Sequence, residues 1–351
     1  MRIPLLGLPM SGKTTLFRAL AAGHLPEAGG HLAAVPVPDP RLDLLAAREQ
    51  PRKKTYATAT FVDVGAMRAD EDRSARIDKL HDLTGDADAL MLVVGAFGDY
   101  DHRGEPADPR RDLQELVAEL ILTDLAIIET RGERVEREHK ARRKGEPDAE
   151  WDLLHRLREH LEAQGWAREL SFNDEEARVL RGYGLLTLRP AMVVFNCGED
   201  DLKGGRCAHA ASLAGEMGLT AEVLSAELEL ELADLPEEDR AEFLAEYGLA
   251  QVARDRVLRA AYQLVNVVTF YTVNDNEARA WTVPSGTPAR EAAGKVHTDM
   301  QRGFVRAETL SFEDYEAAGG LAGAKQGNKV RLEGQDYLVQ DGDILQIRFT
   351  R

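Results

Sequence analysis

The chain has 351 residues, of which 44% are hydrophobic and 30% are charged, and its formal net charge is −17 at pH 7. This length accommodates two or three cores, and the negative charge argues against non-specific binding of nucleic acid over the whole surface. Cys197 and Cys207 lack a metal-ligand spacing, and no apolar run approaches the roughly 20 residues that span a bilayer. We expect a multidomain cytoplasmic protein with no membrane partner and no sequence-specific DNA partner.

The first motif follows the apolar start of the chain. Residues 7–14 read Gly-Leu-Pro-Met-Ser-Gly-Lys-Thr and match GxxxxGK[ST], and an amphipathic helical stretch comes directly behind them. In such a loop the backbone N–H groups bind phosphates, the lysine reaches the β- and γ-phosphates, and the threonine hydroxyl holds Mg²⁺. The residues predicted to bind the nucleotide phosphates are Pro9, Met10, Ser11, Gly12, Lys13, Thr14 and Thr15.

Short apolar runs alternate with helical stretches up to about Val265, which is typical of a mostly parallel sheet in an α/β domain. The predicted strands cover residues 3–6, 58–64, 89–96, 191–195 and 221–224. Because proline is awkward inside a central strand, we expect regular pairing of the first strand to begin at Leu5, after Pro4. Each run ends where a loop could face the nucleotide.

Asp63 ends the second of these runs. A carboxylate at the end of such a strand supports Mg²⁺ beside the phosphates, as the Walker B aspartate does. We therefore predict Mg²⁺ as the cofactor, with Thr14 and Asp63 as its protein ligands and with Lys13 and Asp63 as catalytic residues.

Two later loops occupy the places where GTPases read the base. Asn196-Cys197-Gly198-Glu199 follows the fourth run, and Ser225-Ala226 follows the fifth. The first pattern is NxxE, whereas guanine is usually read by NKxD, whose aspartate accepts hydrogens from the base. A site without that aspartate lacks the contact that favours guanine over adenine. The predicted base-site residues are Asn196, Cys197, Glu199, Ser225 and Ala226, with ordinary loop chemistry of Asn196 and Glu199 as the alternative.

A long charged stretch from about Leu125 to Tyr183 interrupts the pattern and is predicted to form a helical hairpin. Its two apolar stripes have helical spacing: Leu113, Leu116, Leu120, Ile121, Leu125 and Ile128, then Leu153, Leu154, Leu157 and Leu161. Gly145, Pro147 and Asp148 supply the turn. Basic residues concentrate near the tip, namely Arg134, Arg137, Lys140, Arg142, Arg143 and Lys144. They form either a solvated face or a patch for RNA phosphates.

The last segment is predicted to form a compact domain of mixed secondary structure. Residues 267–273 and 344–349 alternate like strands, and several glycines punctuate the segment. Its aromatic residues suit a core better than a nucleic-acid platform; they are Phe270, Tyr271, Trp281 and Phe304.

The combined motifs resemble the Obg-like ATPase family, also called YchF. Beyond the phosphate loop and NxxE, the resemblance includes residues 35–43 (VPVPDPRLD), 279–282, 294–299, 303–308 and 341–343. It implies a Ras-like P-loop domain over 1–124 and 184–265, an inserted antiparallel coiled coil over 125–183, and a C-terminal TGS domain of ubiquitin-like β-grasp fold over 266–351. It also implies an ATP-preferring hydrolase that associates with the ribosome or ribosomal RNA through the hairpin and the TGS domain.

The sequence departs from the family in its switch regions. The connection between the first helix and Val35 is short and holds no threonine, and Ala66 replaces the glycine of DxxG. Met10 replaces an asparagine that can help bind a monovalent cation. Met67 stands where a glutamine would orient water, a hydrophobic replacement that the family shares. Because each missing contact costs roughly 10²- to 10³-fold in rate, we expect slow intrinsic hydrolysis. A GTP-binding or nucleotide-sensing regulator with little hydrolysis and a P-loop small-molecule kinase are the alternatives.

Overall fold

The computed structural model describes residues 1–21, 31–65, 73–141, 149–202, 205–246 and 252–350. By contacts the chain divides into two units, Met1–Val35 with Thr60–Leu264 and Pro36–Ala59 with Val265–Arg351. Several sequence predictions lie outside the described residues. They concern residues 22–30 of the segment before Val35 that lacks threonine, Ala66, Met67, and the tip residues Arg142, Arg143, Lys144, Gly145, Pro147 and Asp148.

The strands of the described residues are, in chain order, β1 (Arg2–Leu6), β2 (Leu32–Pro36), β3 (Lys53–Thr55), β4 (Thr58–Asp63), β5 (Leu90–Ala96), β6 (Ala191–Cys197), β7 (Thr220–Leu224), β8 (Val267–Val273), β9 (Glu277–Pro284), β10 (Phe304–Leu310), β11 (Arg331–Glu333) and β12 (Ile344–Phe349).

The α-helices are α1 (Lys13–Leu20), α2 (Pro40–Glu49), α3 (Arg73–Thr84), α4 (Pro109–Ala141), α5 (Ala149–Glu162), α6 (Asp174–Arg181), α7 (Arg206–Glu216), α8 (Ala226–Asp234), α9 (Glu237–Glu246), α10 (Ala253–Leu264), α11 (Ala289–Val296), α12 (Thr298–Arg302), α13 (Phe312–Ala317) and α14 (Leu321–Gln326).

The first unit is built on a sheet of order β2-β4-β1-β5-β6-β7. The ladders that join β4, β1, β5, β6 and β7 are parallel. Strand β6 is buried along its whole length, because helices cover the apolar side chains on both faces of such a sheet. The predicted α/β fold with a mostly parallel sheet is confirmed.

Pro4 does not delay the pairing of β1 with β4, which begins at Arg2 opposite Thr60. That part of the sequence prediction was wrong. The ladder between β1 and β5 does begin only at Leu5, opposite Met91. Proline lacks an N–H to donate, so it is tolerated where the strand is in register with a single neighbour.

The hairpin is formed by α4 and α5. Helix α4 has 33 residues and is therefore about 50 Å long. Every residue of the two predicted apolar stripes is buried, from Leu113 on α4 to Leu161 on α5. Both helices share one hydrophobic core with the sheet of this unit, so the helical periodicity predicted the buried faces correctly.

Asp124 fixes the long helix to the loop that leads into β6. Its side chain is fully buried, and its carboxylate accepts hydrogen bonds from the backbone N–H groups of Leu186 and Thr187, each at 2.8 Å, and from the Thr187 hydroxyl at 2.5 Å. A buried carboxylate is stable only with such donors. This side chain therefore sets where the hairpin returns to the sheet.

The second unit contains a sheet of order β11-β10-β12-β8-β9-β3. Its core includes Phe270 and Tyr271, which are fully buried, while Trp281 and Phe304 pack against it and stay partly exposed. Strands β8 and β12 have the predicted bounds. The aromatic residues of this segment therefore serve mainly as core.

Residues 36–59 group by contacts with this C-terminal unit, although sequence order suggested the nucleotide domain. Strand β3 pairs in parallel with β9. The Tyr271 hydroxyl donates to Asp39 at 2.5 Å, and the Arg41 guanidinium donates to Asp341 at 2.6 Å. Glu49 accepts hydrogen bonds from the Tyr315 hydroxyl and the Leu321 N–H. The partition into nucleotide, hairpin and β-grasp domains stays a prediction.

None of the described helices is both long and apolar enough to cross a bilayer.

Replacing Asp124 by alanine should destabilise the first unit. The substitution leaves the donors on Leu186 and Thr187 without a partner in a buried place, which should lower the free energy of unfolding by about 2 kcal/mol at pH 7. Urea unfolding followed by circular dichroism measures this. The control is Asp152→Ala on the exposed face of α5, where we expect less than about 0.5 kcal/mol. Equal effects of the two variants would contradict this role of Asp124.

The same carboxyl should also make stability depend on pH. Burial raises the pKa of Asp124 to about 6, although the hydrogen bonds from Thr187 and Leu186 act to lower it. The folded state then holds a proton that the unfolded state releases, so this contribution is fully present below about pH 4 and is lost as the pH rises through about 6. Relative to Asp124→Asn, wild-type protein should lose about 3 kcal/mol of unfolding free energy between about pH 4 and pH 7. Urea unfolding at both pH values tests this, and parallel pH profiles would contradict it.

Candidate nucleotide-binding site

The phosphate-loop motif forms a tight turn between β1 and α1. Gly12, directly before α1, has φ 76°, and a Cβ built on it would lie 2.0 Å from Asn196 Nδ2. A Cβ on Gly7 would lie 2.6 Å from the Val93 carbonyl oxygen. Both positions therefore need glycine, the first for its left-handed backbone and both for the close approach of neighbouring atoms. The loop is held against the ends of β5 and β6.

The exposed part of this loop carries unusual features. Met10 is 70% exposed and has φ 62°, a conformation that costs a residue with a side chain about 1 kcal/mol or more. The adjacent Ser11 hydroxyl is buried and has no hydrogen-bond partner among the described residues. Strain and unpaired polar groups of this kind cluster at functional sites. Pro9 is partly exposed beside them.

Lys13 and Thr14, the first two residues of α1, converge on Asp63. The Lys13 ammonium lies 3.4 Å from Asp63 Oδ1, and the Thr14 hydroxyl donates to Asp63 Oδ2 at 2.9 Å. Lys13 and Asp63 are 6% and 8% exposed, whereas Thr14 is exposed. Asp63 ends β4, next to Leu5 of β1, so the parallel ladder delivers its carboxylate to the base of the loop. The sequence prediction joined these residues, and the structure brings them into contact.

The hydroxyl and carboxylate oxygens of Thr14 and Asp63 fit Mg²⁺, which prefers hard oxygen ligands and is usually bound by one or two protein groups together with phosphates and water. Thr15 follows on α1 and is partly exposed. Within the described ranges, no group of three or more His, Cys, Asp or Glu side chains is placed to hold a metal ion. The oxygen pair at Thr14 and Asp63 is thus the candidate metal position.

Asn196 joins the phosphate loop to the loop after β7. Its side chain is buried; Nδ2 donates to the Ser11 carbonyl oxygen at 3.2 Å, and Oδ1 accepts from the Ala226 N–H at 2.9 Å. Ser225 caps α8 by accepting from the Leu228 N–H at 3.4 Å. Both ends of the Asn196 amide are therefore used by the protein, and this residue positions the two loops.

The two other residues of the NxxE loop face in different directions. The Cys197 thiol is buried and donates to the Leu224 carbonyl oxygen at 3.3 Å. A hydrogen bond with the Cys207 thiol, together with burial, raises the pKa of Cys197. Only the Cys197 backbone remains for a ligand. Glu199 begins a short 3-10 turn and is exposed, as a residue that reads a base must be.

Phe97 is a candidate ligand contact that the sequence analysis did not select. It follows β5 directly, is 37% exposed, and its Cε1 lies 3.2 Å from a Cβ built on Gly12. On the other side, its Cβ lies 3.9 Å from a Cβ built on Gly198. The ring thus lies between the phosphate loop and the NxxE loop. An aromatic residue at the carboxyl end of a central parallel strand was the available signal.

Arg206, at the start of α7, ties the Phe97 loop to the NxxE loop. Its guanidinium donates to the Gly98 carbonyl oxygen at 2.7 Å and pairs with Asp201 at 2.8 Å. One side chain therefore holds the segments on either side of the candidate base position.

Comparison with known proteins identifies the family of this chain. A family model described as YchF-GTPase_C, a protein of unknown function (DUF933), matches residues 267–350. Curated proteins named ribosome-binding ATPase YchF from Haemophilus ducreyi and Bacillus subtilis are each 35% identical, with 99% of this chain and 98% of each relative covered. Obg-like ATPase 1 of Caenorhabditis elegans is 29% identical over 100% of this chain and 92% of its own length.

A solved structure agrees with the sequence relatives. The Schizosaccharomyces pombe YchF GTPase superposes with a TM-score of 0.86 at 25% identity and covers 99% of this chain and 97% of its own. This likeness supports the expected P-loop domain, inserted helical hairpin and C-terminal domain. With identity above one third over nearly the full length of several relatives, the chain belongs to the YchF family of Obg-like ATPases.

Proposed function

We propose that this protein binds ATP at the loop of residues 7–14 and slowly hydrolyses its γ-phosphate, acting as a nucleotide switch on the ribosome. The observation that carries the proposal is the convergence of Lys13 and Thr14 on the Asp63 carboxylate at the end of β4. The names of the relatives, ribosome-binding ATPases, support the reaction and the partner.

The phosphate chemistry follows from the positions of these groups. Lys13 is held by Asp63 until phosphates arrive, and its ammonium then stabilises negative charge that develops on the β- and γ-phosphates. The N–H groups at the start of α1 add the positive end of the helix dipole. Bound Mg²⁺ supplies further neutralisation of the phosphate oxygens, with Thr14 and Asp63 as its proposed protein ligands. Water then attacks the γ-phosphate in line with the leaving oxygen.

The base site lacks the contacts that would select guanine over adenine. The Ala226 N–H already donates to Asn196, so this amide is not free to bind the oxygen of guanine. Glu199 offers a longer carboxylate than the aspartate of NKxD, on an exposed turn. Phe97 offers an aromatic ring on which any purine could stack. A site that recognises the purine mainly by shape, with Ser225 and the Cys197 backbone beside it, loses the discrimination that guanine-specific hydrogen bonds provide.

The proposed ribosome contact is assigned to the hairpin and the C-terminal unit. The basic residues Arg134 and Arg137 belong to α4 and are followed by further basic residues toward the tip. Phosphate contacts of Lys and Arg supply affinity for RNA without sequence specificity. Association with ribosomes also supports the expected cytoplasmic location.

A second candidate is a nucleotide-sensing regulator with little hydrolysis. The observation in its favour is that residues 21–34 contain no threonine and that Met67 stands at the position of the water-orienting glutamine. Single-turnover release of phosphate from ATP separates the candidates. Release that is faster than that of a Lys13→Ala variant supports the hydrolase, and equal release supports the regulator.

The protein should bind ATP at least as tightly as GTP, because the amide and carboxylate that select guanine are engaged or replaced. Competition of each nucleotide against a fluorescent ATP analogue, with Mg²⁺ present, measures the two affinities. A preference for GTP of about tenfold or more, equal to about 1.4 kcal/mol, would refute this view of the base site.

Lys13→Ala should abolish binding of both nucleotides in the same assay. This variant therefore controls for binding of nucleotide at other places on the protein. The matched control is Lys295→Ala, which removes an exposed lysine of α11 in the other unit and should leave both affinities unchanged.

Removing Mg²⁺ should weaken ATP binding to the wild type far more than to Asp63→Asn. Asp63→Asn loses a proposed metal ligand, so its ATP binding should depend less on Mg²⁺. The substitution also removes the ion pair of Lys13. Without Mg²⁺, the variant should therefore bind ATP as tightly as the wild type or more tightly. We expect the ratio of the dissociation constants with and without EDTA to fall by about tenfold in the variant. Isothermal titration calorimetry measures both values. The control is Asp82→Asn on the exposed face of α3, and an unchanged ratio in Asp63→Asn would exclude the metal role of Asp63.

A further inference from the structure

A groove of about 620 Å³ runs between α4 and α5 on the hairpin. We call it the hairpin groove, and it lies within the first unit, apart from the phosphate loop. Its base is formed by Ile128, Gly132, Trp151 and Leu154. Ile128 and Leu154 are almost fully buried, whereas Trp151 is partly exposed. The groove is as large as the clefts that hold a drug-sized ligand or several side chains of a peptide.

The groove is open because Gly132 has no side chain. A Cβ built at this position meets no atom within 4 Å, so glycine is not required there by packing or by backbone conformation. Glycine in the middle of a helix costs about 1 kcal/mol relative to alanine. The chain therefore carries a helix-weakening residue at a position of α4 that lines the groove.

The rim of the groove is acidic. Its charged residues are Glu129, Glu133, Glu159 and Glu162, with His155 and Arg158. Arg158 is already paired with Glu162 at 2.7 Å, and His155 lies 3.4 Å from Glu159. The charge of Glu129 also acts on Arg158 and helps to raise the pKa of that guanidinium. Four carboxylates thus share the rim with one arginine and His155. The rim thus keeps an excess of negative charge that attracts cations and repels phosphate.

We propose that the hairpin groove binds a basic protein segment, rich in Lys or Arg and carrying apolar side chains that cover Trp151 and Gly132. Charge argues against the other large occupants. RNA would bring phosphates against the glutamate rim, and most of the surface of a second copy of this chain, whose net charge is −17, would bring like charge. The proposal depends on the groove alone and does not require the nucleotide site to be functional.

The test uses the full-length protein and a synthetic helical peptide of about 18 residues, with leucine on one face and lysine on the other. Isothermal titration calorimetry gives the affinity. The change in tryptophan fluorescence that is lost in Trp151→Phe reports occupancy of the groove, since Trp166 and Trp281 also emit. Gly132→Leu should weaken binding by about tenfold or more. Because this substitution changes no charge, the loss cannot arise from general attraction of a basic peptide to an acidic protein.

The matched control is Gly215→Leu on α7, where a Cβ also meets no atom within 4 Å and where we expect a change of less than about twofold. Thermal unfolding checks that Gly132→Leu is folded, and the gain in helix propensity predicts an unfolding temperature that is not lowered. If that variant is unstable, the double variant Glu129→Lys and Glu133→Lys, which reverses two rim charges, should weaken peptide binding by about tenfold.

Two further titrations test the competing occupants of the groove, an acidic peptide and RNA. A peptide with glutamate in place of lysine should not bind, and oligouridine should not bind at the groove. The proposal is overturned if Gly132→Leu and the charge-reversal variant both bind the basic peptide like the wild type. It is also overturned if Gly132→Leu abolishes binding of oligouridine, or if it abolishes a wild-type dimer seen by sedimentation, because the occupant is then RNA or a second copy.

Discussion

The candidate site depends on one buried amide. Asn196 is the last residue but one of β6 and is buried, so both polar atoms of its side chain need partners. It finds them at the Ser11 carbonyl oxygen and the Ala226 N–H. A buried amide with an unpaired end would cost about 1–3 kcal/mol, so the phosphate loop and the loop after β7 are held at fixed positions relative to β6. The close contact at Gly12 follows from the same arrangement, because the Asn196 Nδ2 occupies the space that a Cβ would need. Preorganisation of this kind is what a phosphate-binding loop requires.

The features that follow from a local pattern in the sequence could be predicted. The phosphate loop, the carboxylate Asp63 and the apolar stripes of α4 and α5 follow from motif spacing and periodicity, and they lie where expected. The grouping of residues 36–59 with the C-terminal unit could not be predicted from local pattern. The contacts of Asp39 with Tyr271 and of Arg41 with Asp341 join positions more than 200 residues apart. Phe97 was missed because a single aromatic residue after a strand has no motif. Strand β1 begins to pair at Arg2 with β4 but only at Leu5 with β5, and a proline in the sequence does not distinguish these two neighbours.

The hairpin carries charges of both signs close together. The exposed residues Arg134 and Arg137 of α4 come directly after Glu129 and Glu133, which line the hairpin groove. The proposed ribosome contact would offer RNA phosphates to the arginines and basic protein segments to the glutamates. The net charge of −17 then serves selectivity, because most of the surface repels nucleic acid and only local patches can bind it.

The capture of residues 36–59 by the C-terminal unit has a consequence for biosynthesis. Helix α2 buries Leu42 and Leu45 in a core whose other members, such as Tyr271 and Leu310, are translated more than 200 residues later. At 5–20 residues per second, a nascent chain keeps this amphipathic segment without its final partner for roughly 10–40 s. The segment must therefore stay unfolded, or be shielded by a chaperone, while the remainder of the first unit is being made. Truncation before residue 265 would leave the same leucines exposed permanently and would favour aggregation over a stable fragment.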